Sequence, residues 1–255
     1  MGDFELMFSS SRICCIEPKK PKTWSQKIFI TFDLDWAHDE VILDTLELIK
    51  ESGVSSTWFI THESSILDEL RNLKDAELGI HPNFNSIQET PFTGIHEMEN
   101  IVGELLGIVP EAKSVRSHSL FHSERLVDVF HEKGLTHISN CFIPHSSGIK
   151  LQPFSIWDDI VMAPHCWQDN VALKMNLPFP SQNELSGSYC VFNFHPIHVF
   201  LNTENVTRYE SSRPLHQNPE KLIAKRFGGI GTRTLLIKLL DIIKTQSSDV
   251  LVDNI

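Results

Sequence analysis

Asp33 and Asp35 stand two residues apart in Thr31-Phe32-Asp33-Leu34-Asp35-Trp36, directly after a short apolar run. Carboxylates at i and i+2 of a strand end can face one pocket, where their like charges raise the pKa of one unless a cation sits beside them. A metal ion held by one acid leaves the other free as a base. A second cluster is His81-Pro82-Asn83-Phe84-Asn85. If that segment turns helically, His81 and Asn85 share a face. Imidazole nitrogen and amide oxygen are both ligands for a divalent ion such as Zn²⁺, the amide being the weaker. A third is Val115-Arg116-Ser117-His118-Ser119-Leu120-Phe121-His122. Its Arg116 suits a bidentate pair with a carboxylate. In Trp167-Gln168-Asp169 an aromatic face beside an acid suits a sugar ring or acyl group. In Phe194-His195-Pro196-Ile197-His198, a strand-end His195 suits general acid chemistry. Each cluster has a bland alternative: caps for the next turn, a histidine bonded to backbone, a surface ion pair, a packed tryptophan.

The elements that must position these groups are legible in the periodicity. Residues 28–32, 56–60, 77–80 and 190–194 read as short buried strands, with weaker strands at 113–116 and 136–140. Helical spacing covers 39–52, closed by Gly53, and 64–74, 96–107, 123–133 and 232–245. Residues 141–187 are loop-rich and aromatic. Alternating strands and helices predict a mostly parallel α/β sheet with crossover helices. In such folds ligands bind at the carboxyl ends of the strands, which is where the clusters fall. Gly228-Gly229-Ile230-Gly231-Thr232 lacks the lysine of a phosphate loop and reads as a loop and N-cap. Residues 1–26 read as a loosely packed lead-in, and 27–255 as a single catalytic domain.

Composition narrows the class. The chain has 255 residues, 41% apolar and 22% charged, which excludes disorder. A formal charge of −11 argues against a non-specific nucleic-acid or anionic-membrane binder. No apolar run approaches the ~18 residues of a membrane span. Five cysteines without CxxC spacing, and no basic-then-apolar leader, predict a cytoplasmic protein with free thiols.

In this order the clusters resemble the motifs of the NodB-homology polysaccharide deacetylases, carbohydrate esterase family four, and are closest to its WbmS-like branch. The family's first motif, Thr-Phe-Asp-Asp-Gly, corresponds to Thr31-Phe32-Asp33-Leu34-Asp35-Trp36, with one residue inserted between the acids. Its His-x-x-x-His corresponds to His81 through Asn85, with Asn in the second His place. Arg116 stands at the start of the third motif, where His118 replaces the following Pro. Trp167 and Asp169 are the candidates for the fourth, and His195 for the last. The resemblance implies an irregular (β/α) barrel of about seven parallel strands. It implies metal-dependent removal of an N-acetyl or other N-acyl group from an amino sugar or polysaccharide precursor in bacterial surface polysaccharide (O-antigen) biosynthesis. The implied metal is divalent, most often Zn²⁺, held by Asp35, His81 and either Asn85 or His118. Position in the motif favours Asn85, and ligand strength favours His118. Asp33 is the implied general base, Arg116 its orienting partner and His195 the acid; Trp167 and Asp169 are the implied substrate contacts. The rival readings are a non-catalytic carbohydrate-binding relative and an amidohydrolase acting on a non-sugar amide.

Overall fold

Lys27–Asp33 is apolar on both faces, as a strand covered on both sides must be. In the computed structural model, which describes residues 8–85, 94–157, 159–185 and 189–252, it is an interior strand of one curled sheet. The strands are β1 Ser9–Ser10, β2 Lys27–Asp33, β3 Ser56–Ile60, β4 Ala76–Ile80, β5 Ser114–Val115, β6 His137–Ile138, β7 Phe154–Ile156, β8 Ile160–Met162, β9 Trp167–Gln168 and β10 Cys190–Phe194. Their order is β7-β8-β6-β5-β4-β3-β2-β10-β9, with β1 beside β2. All pairings are parallel except β7 with β8. The α/β class is therefore as expected. The described sheet is a half-barrel of ten strands, several of them two residues long, with β7 and β9 left as edges.

The helices are α1 Asp39–Ser52, α2 Leu67–Asn72, α3 Gly94–Ile108, α4 Glu124–Glu132, α5 Asp169–Met175, α6 Gln182–Leu185, α7 Pro196–Leu201, α8 Val206–Ser212, α9 Pro219–Leu222 and α10 Thr232–Val252. Helix α1 shows why its ends fall where they do. His38 Nδ1 accepts from the Glu40 N–H at the N-terminus, two acids occupy the first turn, and Gly53 closes the helix in the left-handed region at φ 66°. Its apolar residues Val41, Ile42, Leu46 and Ile49 are buried, and it packs on α7 and α10.

Two expectations change. Part of the lead-in is packed rather than loose: β1 pairs with β2, and Ile13 and Ile16 are buried with Phe29, Val161, Ala163 and Val191, while residues 19–22 are exposed. The aromatic stretch 141–187 contains β7–β9 and α5–α6. These elements are too short to show a period in sequence.

One glycine matters to the site. A Cβ on Gly79 in β4 would stand 2.5 Å from Ser114 Oγ and 2.9 Å from the Phe59 ring. Its absence lets β3, β4 and β5 close up, and the Phe59 ring then carries the Arg116 guanidinium 4.5 Å from its centroid.

Candidate active site

Because β5, β4, β2, β10 and β9 run parallel, their carboxyl ends deliver side chains to one place. Asp33 ends β2, and Asp35 follows in a turn whose backbone is left-handed at both Asp35 (φ 45°) and Trp36 (φ 55°). His81 follows β4, Arg116 and His118 follow β5, Asp169 follows β9, and His195 follows β10. Residues as far apart as 33 and 195 thus meet: His195 Nε2 lies 3.9 Å from Asp33 Oδ2 and 3.5 Å from Asp35 Oδ2.

Asp33 is held rigidly. Arg116 Nη1 donates to its Oδ1 at 3.0 Å, and Asn193 Nδ2 donates to its Oδ2 at 2.7 Å. Arg116 is fully buried and satisfied on its other edges by Thr31 Oγ1, Asn193 Oδ1, and the hydroxyl and carbonyl of Ser139. A buried guanidinium must be paired, and this network does it. Burial alone would raise the Asp33 pKa; the charges of His81, Arg116 and His195 outweigh it and hold the carboxyl below its usual value.

Asp35, His81 and His118 form a second group. His118 Nδ1 donates to Asp35 Oδ1 at 3.1 Å, and His81 Nε2 lies 3.2 Å from the same oxygen. One ligand atom from each falls within 4.8 Å of the others. Tetrahedral zinc, with bonds of about 2.0–2.2 Å, places its ligand atoms about 3.4 Å apart, so the trio is close enough to converge on one divalent ion. Burial would raise the Asp35 pKa, but hydrogen bonds from His118 and His81 and the nearby His195 hold it well below the carboxylate range. The hydrogen bond to Asp35 raises His118 against its partial burial.

The expectation for Asn85 is corrected here. Residues 81–84 do not turn helically, so the four-residue spacing does not put Asn85 over His81. Phe84 enters the core, and Asn85 is exposed, its N–H bonded to Asn83 Oδ1. His118, from the end of β5, stands beside Asp35 instead.

Trp167 is also corrected. Its ring is buried against Phe179, Phe192 and Phe194 at centroid distances of 5.1, 6.2 and 5.1 Å, so its faces serve the core. Asp169 is fully buried and engages His195: its Oδ1 lies 2.6 Å from His195 Nδ1, and its Oδ2 accepts the His195 backbone N–H at 2.7 Å. Burial would lower the His195 pKa, but Asp169, Asp35 and Asp33 raise it to about 10. The imidazole therefore carries a proton at neutral pH.

Sequence reasoning missed Asn193, although a lone amide inside the apolar run of β10 was the available signal. It also missed the walls of the site. A cavity of about 640 Å³ opens beside Asp35 and His195, and its sides include Trp36, Tyr209 and His216. Among the described residues no helix is long and apolar enough to cross a membrane, and the five cysteines are unpaired.

The family described as WbmS-like polysaccharide deacetylase matches residues 30–213. A solved structure from Bordetella bronchiseptica, described as the polysaccharide deacetylase WbmS involved in O-antigen biosynthesis, is 40% identical, with a TM-score of 0.86 over 91% of this chain and 97% of its own. A family 4 carbohydrate esterase from Streptomyces lividans in complex with acetate is 13% identical, with a TM-score of 0.45 over 84% of this chain and 87% of its own. No curated protein matches. The family match covers well over half of the chain and includes Asp33, Asp35, His81, Arg116, His118, Asp169 and His195: the chain belongs to the WbmS-like polysaccharide deacetylases.

Proposed function

We propose that the protein hydrolyses the N-acetyl or other N-acyl group of an amino sugar during the building of a bacterial surface polysaccharide of the O-antigen type, in the cytoplasm, with a divalent metal ion, zinc by preference. One observation carries the reading. A carboxylate kept ionised and an imidazole kept protonated face each other, Asp33 to His195 at 3.9 Å, beside a trio of ligand atoms suited to a metal. Acid and base pushed apart by their surroundings are the signature of a paired proton-transfer site. The WbmS described for O-antigen biosynthesis, 40% identical, supports the choice of pathway.

Asp35, His81 and His118 would hold the ion. A divalent ion there supplies Lewis acidity toward the amide carbonyl and toward water. Asp33 takes the proton of the attacking water, with Arg116 and Asn193 fixing its two oxygens. Water oxygen bonds to the acyl carbon, the carbon–nitrogen bond breaks, and His195 gives its proton to the departing amine. Asp169 keeps His195 in the orientation and tautomer this requires.

The test is acetate release from nucleotide-linked and free N-acetylhexosamines by zinc-loaded protein. Release that stops with a chelator and returns with zinc is the expected result. A metal-loaded protein that releases no acetate from any of these sugars would overturn the reading.

A further inference from the structure

Trp36 is held in a conformation its side chain does not favour. Bulky residues rarely adopt positive φ, yet Asp35 and Trp36 do so in succession, and so do Ser119 and Leu120. All four line the same cavity and account for four of the nine non-glycine residues of positive φ among the described ones. Strain concentrated at a cavity rim signals function. The Trp36 backbone is clamped on both sides: its N–H donates to Thr61 Oγ1 at 3.1 Å, and its carbonyl accepts from Gln217 Nε2 at 3.1 Å. The indole remains 41% exposed, so it contributes little to the core. The motif that the sequence resembles has glycine here, which would take this conformation without strain.

Two further rings line the cavity from the segment that supplies Gln217. Tyr209 and His216 lie 5.0 Å apart between centroids, and Tyr209 packs 4.7 Å from His198, which in turn meets the His195 ring edge-on at 5.8 Å. An aromatic wall thus runs from the catalytic histidine to the rim. Pyranose rings present apolar C–H faces that stack on such surfaces, and a cavity of about 640 Å³ has room for a sugar and its substituents.

We infer that Trp36, with Tyr209 and His216, forms a pyranose-stacking subsite that holds the amino-sugar ring while its acyl group reaches Asp33 and His195. Placing the acyl group there rests on the deacetylase reading; the stacking subsite does not. These residues set specificity for a sugar over a simple amide.

The experiment separates the two. Calorimetry on the full-length, metal-free protein measures binding of the methyl glycosides of N-acetylglucosamine and N-acetylgalactosamine, with no turnover needed. Trp36→Ala and Tyr209→Leu are each expected to weaken binding about tenfold or more, and Trp36→Tyr to restore most of it. Trp157→Ala, which removes an exposed indole outside the cavity, serves as the reference for a general effect. Failure of the wild type to bind either glycoside, or wild-type binding by Trp36→Ala, overturns the subsite. Acetate release is measured separately on zinc-loaded protein. There Trp36→Ala should raise KM for the sugar, and a loss carried wholly in kcat would show instead that the indole acts through its contact with His118. Trp36-dependent glycoside binding without acetate release would leave the subsite standing and remove the deacetylase reading. Acetate release with Trp36-independent binding would do the reverse.

Discussion

Asp169 engages His195 twice, once at the ring Nδ1 at 2.6 Å and once at the backbone N–H at 2.7 Å. This double contact fixes both the place of the residue and the tilt of its ring. It also explains how an imidazole in a fully buried position keeps its proton.

Asp169→Asn should therefore uncouple the imidazole while leaving the chain folded. The amide can still occupy the space but cannot supply the negative charge. The His195 titration, followed by NMR on metal-free protein, should move down from about 10, and deacetylation should fall by about 10²–10⁴-fold. An unmoved titration would refute the role given to Asp169.

Asp33→Asn should keep zinc binding but lower turnover by about 10²–10⁴-fold, because shape survives while the base is lost, and it should also lower stability, because the buried Arg116 loses its carboxylate partner. Arg116 would still find Thr31, Asn193 and Ser139. Near-wild-type kcat in this variant would rule out Asp33 as the base.

Zinc titration of two alanine variants discriminates the third ligand. His118→Ala should weaken binding well beyond the about 10–100-fold typical of an indirect partner. Asn85→Ala should match the wild type, since Asn85 is exposed and residues 81–84 do not coil to bring it over His81. The opposite ranking would restore Asn85 to the ligand set.

Acid stability should carry the mark of His165. Burial lowers its pKa to about 3; Nε2 lies 2.8 Å from Gln168 Oε1, and Nδ1 has no partner. Below pH 6.5 the unfolded chain binds a proton that the folded protein refuses, so stability is lost as pH falls, by of order 1 kcal/mol per pH unit from this group. His195 contributes no slope in that window, because it is protonated in both states; its contribution is lost as pH rises from 6.5 toward about 10. Urea unfolding of His165→Gln between pH 4 and 6.5 should show a shallower slope than the wild type. An identical slope would remove His165 from the account.

The sequence alone determined the alternation of strands and helices, and with it the rule that chemistry collects at strand ends. Asp33, His81 and His195 were legible because each directly ends or follows a strand whose apolar run is visible without the fold, and Arg116 because it ends the weaker strand at 113–116. The choice between Asn85 and His118 was not. The spacing argument depended on whether residues 81–84 coil into a helix; they do not, and Phe84 is buried in the core. Trp167 and Asp169 were found as a pair, but the packing of Trp167 on Phe194 and the contact of Asp169 with His195 were not legible. Which way each side chain of β9 points depends on its pairing with β10, through Trp167 with Phe192 and Gln168 with Asn193. Trp36 and Tyr209 lie 173 positions apart, and no local pattern links them. Local periodicity is set by neighbours a few residues away, whereas a cavity wall is set by which distant segments pack together, and only the tertiary structure decides that.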